Sequence, residues 1–400
     1  MRDLVLSMIA DGGLLAGMPY SLAAPLVMVA FGALVVFGFV LPIAGVTSWL
    51  ERRVWARIQS RIGPNRVGPQ GFLQWLADGL KNLLKEDIIP SAADKWLFSL
   101  APYLVVAGFI ATFATIPFTS SLIIADLNIG ILYITGVTGI VVVGVLMAGW
   151  SSNNKWSLLG GIRSAAQIVS YEIPAGLSVF PIVLLTGTLS MQGIIRAQGW
   201  APWDWFFFYN PFTFVAFFVF FVAALAEGNR TPFDIPEAES ELVAGFCTEY
   251  SGMRYLLFFL EEWGNLYVIG AIVTTLFLGG WQVPAFTDNQ TLLTVAQFGT
   301  FFLKAYFFVF LAMWVRATLP RLRVDQLMTV CWKYMVPIAI VNMIGTAAWM
   351  LLVPEALGRM VQIGMTVGGG VVVVVFFRRV RFHLRRANLQ PSDYYYSPII

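Results

Sequence analysis

Carboxylates crowd into one segment of a chain that is otherwise poor in charge. Eight of the 22 acidic residues lie between residues 227 and 262, where the only bases are Arg230 and Arg254. These acids are Glu227, Asp234, Glu237, Glu239, Glu241, Glu249, Glu261 and Glu262. Like-charged neighbours and burial both make a carboxyl group easier to protonate near neutral pH. The segment is therefore a candidate proton path.

Some acids are expected near membrane depth. Glu172 is predicted to stand at the mouth of one apolar segment, Glu227 ends another, and Glu261 and Glu262 begin a third. Charge at that depth is costly and usually faces a bundle interior or a hydrated cavity on a proton or ion path. For the loop acids a structural alternative stays open, because they would favour the positive end of a helix that begins at Pro236.

Two basic segments border apolar ones. In residues 51–96, the Gly- and Pro-rich stretch 61–71 precludes a helix, whereas residues 72–86 have the spacing of a helix lying in the membrane interface. This segment is either a membrane-resting linker or a lipid-level doorway with cationic walls. The second segment, 316–333, either holds positive charge on one side of the membrane or docks an acidic partner or a cofactor headgroup.

The rare residues argue against a redox centre held by this chain alone. Its single histidine is His383, and its two cysteines are Cys247 and Cys331. A membrane haem usually needs histidine ligands, an iron–sulfur cluster needs about four thiolates, and structural zinc sites need several Cys or His ligands. We expect both cysteines to be buried packing residues and no metal site.

Composition indicates a polytopic membrane protein of the all-α class. The chain is 58% hydrophobic and 12% charged, and apolar runs long enough to cross a bilayer as helices recur along it. The predicted fold is a transmembrane helix bundle of eight core spans plus a ninth. The spans are 25–48, 97–118, 129–150, 172–188, 211–227, 264–281, 296–315, 334–353 and 361–377.

Positive charge predicts the orientation. All of the 25 Lys and Arg residues except Arg2, Arg196, Lys304 and Arg359 fall on one side of these spans. By the positive-inside rule that side is cytoplasmic, so the N-terminus lies outside and the C-terminus inside. The organisation expected is an outer segment 1–24, a membrane domain 25–353 with cytoplasmic loops 51–96 and 228–263, an additional helix 354–377 and a basic tail 378–400.

Several motifs together resemble a known family. They are Glu51-Arg52-Arg53, Arg61-Ile62-Gly63-Pro64-Asn65, Ala77-Asp78, Leu84-Lys85-Glu86, Ser170-Tyr171-Glu172, Ala226-Glu227-Gly228-Asn229-Arg230-Thr231-Pro232-Phe233-Asp234, residues 237–243, Glu249-Tyr250, residues 258–262 and residues 316–333. From about residue 25 to 353 the chain resembles the quinone-channel membrane subunit of bacterial respiratory complex I, the proton-pumping NADH:quinone oxidoreductase.

The resemblance implies roles for named residues. In this family the protein walls the path by which quinone reaches an iron–sulfur cluster of a neighbouring subunit, and it couples quinone reduction to proton translocation. Roles in the quinone channel carry over to Arg52, Arg61, Phe259 and Arg316. Roles in the proton-coupling path carry over to Asp78, Glu172, Glu227, Glu237, Glu239, Glu241, Glu249 and Glu262. Glu261, beside Glu262, is less typical of the family.

The resemblance also implies partners. Quinone would be the substrate, and FMN and iron–sulfur clusters would be held by other subunits. The hydrophilic subunits would dock at the cytoplasmic loops, small membrane subunits and the antiporter-like arm would pack alongside, and no nucleic acid would bind. The location expected is the bacterial inner membrane. The family's usual core has eight spans, so it says nothing about the ninth span or the tail.

Alternatives remain from the sequence. A related membrane protein of a hydrogenase, or of a complex fed by another donor, would keep the architecture and change the electron source. A stand-alone proton or cation carrier belongs to a different class, which the lack of a visible internal repeat disfavours. A purely structural scaffold is the third alternative.

Overall fold

The architecture comes from a computed structural model that describes residue 27 and residues 32–236, 239–284 and 289–386, with only the backbone at 239, 240 and 384–386. All regular structure in these ranges is helical. The helices are α1 (Gly32–Ile58), α2 (Gln74–Leu84), α3 (Lys95–Thr112), α4 (Gly130–Ser151), α5 (Lys155–Thr186), α6 (Met191–Arg196), α7 (Phe206–Tyr209), α8 (Pro211–Glu227), α9 (Glu239–Leu242), α10 (Gly252–Phe277), α11 (Gln290–Thr318), α12 (Val324–Leu352) and α13 (Glu355–Arg386). Single 3-10 turns lie at Pro69–Gly71, Pro202–Asp204 and Gly245–Cys247.

The all-α polytopic class is confirmed. Within the described ranges eight helices are long and apolar enough to cross a membrane, namely α1, α3, α4, α5, α10, α11, α12 and α13. Helix α8 is a shorter apolar helix of 17 residues. Each of the nine predicted spans overlaps one of these helices. The segment 1–24, Glu237 and residues 387–400 of the tail lie outside the described residues.

Helix α5 begins much earlier than predicted, so the placement of Glu172 at the mouth of a span was wrong. The helix starts at Lys155, capped by Asn154, and Glu172 lies near its middle. Polar residues lowered the hydropathy of its first half, yet Gln167 is buried there and its amide nitrogen is bonded to a neighbouring loop. Pro174 does not end the helix, because neighbouring groups in a bundle can satisfy the backbone that proline frees.

Two further boundaries differ from expectation. Helix α10 begins at Gly252, so Glu261 and Glu262 lie inside it rather than at its start. Where a helix was expected from Pro236, the described residues show a short helix over Glu239–Leu242. At α10 the charged residues hid the first turns of the helix, because hydropathy weighs a paired acid as if it faced lipid.

Close helix approaches build the core. At Gly270 of α10 an added Cβ would lie 2.4 Å from the carbonyl oxygen of Ala305 in α11, and at Gly149 of α4 it would lie 3.0 Å from the Cα of Gly161 in α5. Such small residues let membrane helices pack backbone to backbone. Phenylalanine rings fill the space between α8, α10 and α11. The Phe217 ring, for example, meets the Phe277 ring edge-on, with centroids 5.5 Å apart.

Helix α13 stands at the edge of this bundle. It contacts α7, where the Phe208 ring lies against Gly369, and Trp314 of α11, whose ring lies 6.3 Å from that of Phe376. Most of its apolar side chains, such as Val372 at 68%, are exposed to the surroundings.

We expect Gly270→Ala to destabilise the bundle by about 1–3 kcal/mol, because the new methyl group must displace the α11 backbone. Cys247 and Cys331 are both buried, so thermal unfolding can be followed by their reaction with a thiol-specific fluorophore. The matched control is Gly299→Ala in α11, where no atom lies within 4 Å of the added Cβ. Equal melting temperatures for the two variants would contradict the close approach of α10 and α11.

Candidate functional site

A cavity of about 630 Å³ opens between α1, α2 and α10, and we call it the lateral cavity. Its wall is mainly apolar, with Leu41, Leu76, Leu256 and Phe259 among its lining residues. The helix expected over residues 72–86 is present as α2, Gln74–Leu84, and its position in the membrane interface stays a prediction. Several of its leucines are exposed, as at an interface with lipid, including Leu80 and Leu83 at 61% each.

The loop before α2 is shaped by glycine. Residues 59–68 form turns rather than a helix, as the Gly and Pro density predicts. Gly71 has a φ of +74°, and a Cβ there would lie 2.2 Å from the carbonyl oxygen of Pro64. Only glycine fits where the chain at Gly71 passes the backbone of Pro64, and this close approach places α2 beside α1.

One ion pair joins α1 to α2 on the wall of the lateral cavity. The Arg52 guanidinium donates a hydrogen bond to the Asp78 carboxylate, and Gln74 donates a second at 3.1 Å. Arg52 also lies over the ring of Trp263 in α10, 5.7 Å from its centroid. The Phe259 ring lies beside the Trp263 ring, tilted by 48° with the centroids 5.5 Å apart. The predicted residues Arg52, Asp78 and Phe259 therefore share one wall.

A buried cluster of four charges lies next to this wall, and we call it the ion cluster. Arg230 is 1% exposed, and its Nη1 lies 3.0 Å from Oε1 of both Glu51 in α1 and Glu262 in α10. Its Nη2 donates to the Glu262 carbonyl at 2.9 Å. Arg316 of α11 donates to Glu51 and lies 4.7 Å from the Trp55 ring centroid. Opposite charges and shared hydrogen bonds offset the cost of burying these groups.

The loop that carries Arg230 is fixed by a side chain of α5. Gln167 donates from Nε2 to the carbonyls of Ala226 at 2.8 Å and Phe233 at 2.6 Å. The backbone N–H of Arg230 donates a hydrogen bond to the Leu225 carbonyl at 3.2 Å, so the chain turns back against the end of α8. These hydrogen bonds hold the loop in the position from which the Arg230 guanidinium reaches Glu51 and Glu262.

A second, smaller cavity of about 70 Å³ lies inside the bundle, and we call it the inner cavity. Three carboxylates line it, Glu172 of α5, Glu227 at the end of α8 and Glu261 of α10. Its other polar lining residues are Thr112, Thr135, Thr138 and Asn265. The volume is enough for a few water molecules, which need several polar partners of this kind.

Helix α10 places three successive side chains in three environments. Glu261 lines the inner cavity, Glu262 joins the ion cluster and Trp263 lines the lateral cavity. Successive helical residues are rotated by about 100°, so one turn reaches all three. The ion cluster therefore lies between the two cavities.

Three other predicted site residues, Arg61, Glu241 and Glu249, are not among the lining residues of either cavity. Arg61 is exposed and bonds Gln59 at 2.6 Å. Glu249 accepts a hydrogen bond from Asn154 at 2.6 Å. Arg163 pairs with Glu241 at 2.7 Å, and this hydrogen bond lowers the pKa of the Glu241 carboxyl below its usual range. Glu239 is described by its backbone alone.

Two residues of the site, Glu51 and Arg230, were given no role from sequence, and a third, Glu261, was a candidate proton-path acid to which the family resemblance gave no role. Glu51 and Arg230 complete the ion cluster, and Glu261 joins Glu172 and Glu227 at the inner cavity. The signal for Arg230 was its isolation as a base among acids. No sequence signal separated Glu261 from Glu262, because only helix rotation sends them apart. Among the described residues no three His, Cys, Asp or Glu side chains gather as a metal site.

The chain matches known proteins over most of its length. The family model described as NADH dehydrogenase matches residues 31–347. The H subunit of NADH-quinone oxidoreductase from Anaeromyxobacter dehalogenans is 58% identical over 332 residues, which cover 79% of this chain and 80% of the relative. The same-named protein of Chlorobaculum tepidum is 49% identical over 74% of this chain and 84% of its own.

A third relative has a number in its name instead of a letter. NADH-quinone oxidoreductase subunit 8 of Rhodothermus marinus is 46% identical over 331 residues, covering 80% of this chain and 96% of the relative. These matches confirm the resemblance seen in the motifs. The chain therefore belongs to the NADH dehydrogenase family of membrane subunits, together with the H subunits of NADH-quinone oxidoreductase.

Proposed function

We propose that this protein forms the quinone entrance and channel wall of a proton-pumping NADH:quinone oxidoreductase and couples quinone reduction to proton movement. The observation that carries the proposal is the order of three compartments along α10. An apolar cavity open at the side, a buried ion cluster and an inner cavity lined by carboxylates adjoin one another through Glu261, Glu262 and Trp263.

The lateral cavity suits quinone as the substrate. Quinones partition into lipid, and the exposed leucines of α2 support a position of its wall at the level of a membrane interface. Apolar lining residues receive the ring and tail, while Arg52, paired with Asp78, offers a donor at the inner end. Phe259 and Trp263 supply flat aromatic surface against which a quinone ring can stack.

The ion cluster suits a relay of charge. Quinone reduction creates negative charge and takes up protons, and the cluster lies within one helical turn of the lateral cavity. New negative charge in the lateral cavity attracts the guanidinium groups of Arg230 and Arg316, which weakens their ion pairs with Glu262 and Glu51. In a low-dielectric interior such interactions act over longer distances than in water.

The inner cavity suits the receiving end of that relay. Glu172, Glu227 and Glu261 face one small space whose threonines and asparagine can hold water. Carboxylates that interact strongly titrate as a coupled group rather than singly, and we propose this behaviour for these three. Coupling roles for Asp78, Glu237, Glu239, Glu241 and Glu249, and channel roles for Arg61 and Arg316, remain predictions from the resemblance.

The assembly around the chain is part of the same proposal. FMN and iron–sulfur clusters in partner subunits supply the electrons, and the basic and acidic loops face the hydrophilic subunits. Most Lys and Arg residues fall on one side of the apolar spans, which supports a cytoplasmic position for that side in a bacterial cell. The N-terminus then lies outside the membrane and the C-terminus inside.

Filling the lateral cavity tests the quinone entrance. Gly79 of α2 lines the cavity and has no atom within 4 Å of an added Cβ. Gly79→Trp places an indole there, and we expect a fall on the order of tenfold in kcat/KM for a long-tailed quinone in membranes, because the path is narrowed. Gly79→Ala is the matched control and should keep the wild-type value. Equal quinone kinetics in both variants would count against this entrance.

Neutralising one acid tests the coupling role of the inner cavity. In assembled complex carrying Glu227→Gln, we expect NADH-to-quinone activity and the proton gradient to collapse, because the shared proton site is lost. NADH oxidation by a hydrophilic artificial acceptor should persist. Glu86→Gln, an exposed acid, is the control. If Glu227→Gln keeps both activities, Glu227 is a helix-end residue and the coupling assignment fails, although family membership stands.

A further inference from the structure

A third cavity, of about 630 Å³, lies at the opposite end of the bundle from the ion cluster, and we call it the outer cavity. It is enclosed by the segment from Ala197 to Tyr209, the end of α12 and the start of α13. Chain direction fixes its position, because α12 begins beside the Arg316 loop and ends here. Neither the quinone path nor the carboxylate path uses it.

The inner wall of the outer cavity is held by a buried glutamine. Gln198 is 4% exposed, and its Oε1 accepts from the N–H of Gly279 at 2.8 Å and of Phe206 at 3.3 Å. Its Nε2 donates to the Thr275 carbonyl at 3.0 Å. On the outer side, Gln362 of α13 donates to the carbonyl of Trp203. Hydrogen bonds therefore fix the elements on both sides of the outer cavity.

Its surroundings mark the level of a membrane surface. Trp349 and Tyr209 line it, and Trp200 and Trp203, each 51% exposed, stand beside it. Aromatic residues with polar edges collect where lipid headgroups meet hydrocarbon. Because α12 ends and α13 begins at this point, the cavity opens at headgroup depth.

Three charged side chains line this cavity, Arg359, Asp204 and Glu355. None of them forms an ion pair with any residue that the structure describes. A guanidinium binds phosphate through paired hydrogen bonds, and carboxylates bind an ammonium group. All three residues are exposed, so they can contact a ligand, and one with a phosphate and an amine would match both signs of charge.

We propose that the outer cavity binds the headgroup of a zwitterionic aminophospholipid, with phosphate on Arg359 and ammonium on Asp204 and Glu355. Its acyl chains lie along α13, whose apolar side chains beyond the cavity, Val367 at 61% and Val371 at 55% among them, are exposed. The lipid fills the wedge between α13 and the bundle and holds the edge helix in place.

The test uses the assembled complex in detergent and a photoreactive phosphatidylethanolamine with its reactive group near the headgroup. Crosslinked peptides are mapped by mass spectrometry, with phosphatidylethanolamine or phosphatidylglycerol of identical chains as competitor. We expect labelling in residues 197–209 and 353–362, displaced about tenfold better by phosphatidylethanolamine, since one charge-assisted hydrogen bond accounts for about that factor.

Variants test which charged residues bind the phosphate and which bind the ammonium group. Arg359→Gln should lower the labelling about tenfold, whereas Arg379→Gln, an exposed arginine further along α13, should leave it unchanged. The double variant Asp204→Asn with Glu355→Gln should abolish the preference over phosphatidylglycerol, and it carries the test if Arg359→Gln fails to assemble. Absent labelling of these peptides, equal displacement by both lipids in the wild type, or unchanged labelling in Arg359→Gln would overturn the proposal.

Discussion

The constraint on which the site depends is the burial of Arg230. A guanidinium with 1% exposure must be matched by acceptors, because an unpaired buried charge costs several kcal/mol. Glu51 and Glu262 meet that demand from two different helices, and Arg316 brings in a third. Helices α1, α10 and α11 therefore converge on one loop residue, and their spacing is set by charge as well as by apolar packing.

That convergence also separates the two cavities. Because Glu262 is held by Arg230, the rotation of α10 is fixed, and its neighbours are sent to opposite sides. Trp263 turns toward Arg52 and the lateral cavity, while Glu261 turns toward the carboxylates of the inner cavity. A rotation of α10 by one residue would exchange these environments, so the ion cluster fixes the register of the whole site.

The sequence predicted the helix bundle and the interfacial helix because hydropathy and periodicity report lipid-facing and half-buried surfaces directly. It misplaced Glu172 because Gln167, a buried polar residue whose amide nitrogen is satisfied by backbone carbonyls, lowered the hydropathy of α5. It could not pair Glu51 with Arg230, which lie 179 positions apart, since ion pairs at long range leave no periodic trace. Pairings of that kind follow from packing alone.

Charge balance within the ion cluster bears on the coupling role that we propose for it. Within the four groups of the ion cluster two arginines are balanced by two carboxylates, so the cost of desolvating each charge is offset by an opposite partner. A charge arriving on either side breaks that balance, because the two arginines share Glu51 as an acceptor. Arg230 contacts Glu51 and Glu262 through the same Nη1 atom, so one guanidinium links α1 to α10 and both carboxylates depend on its position.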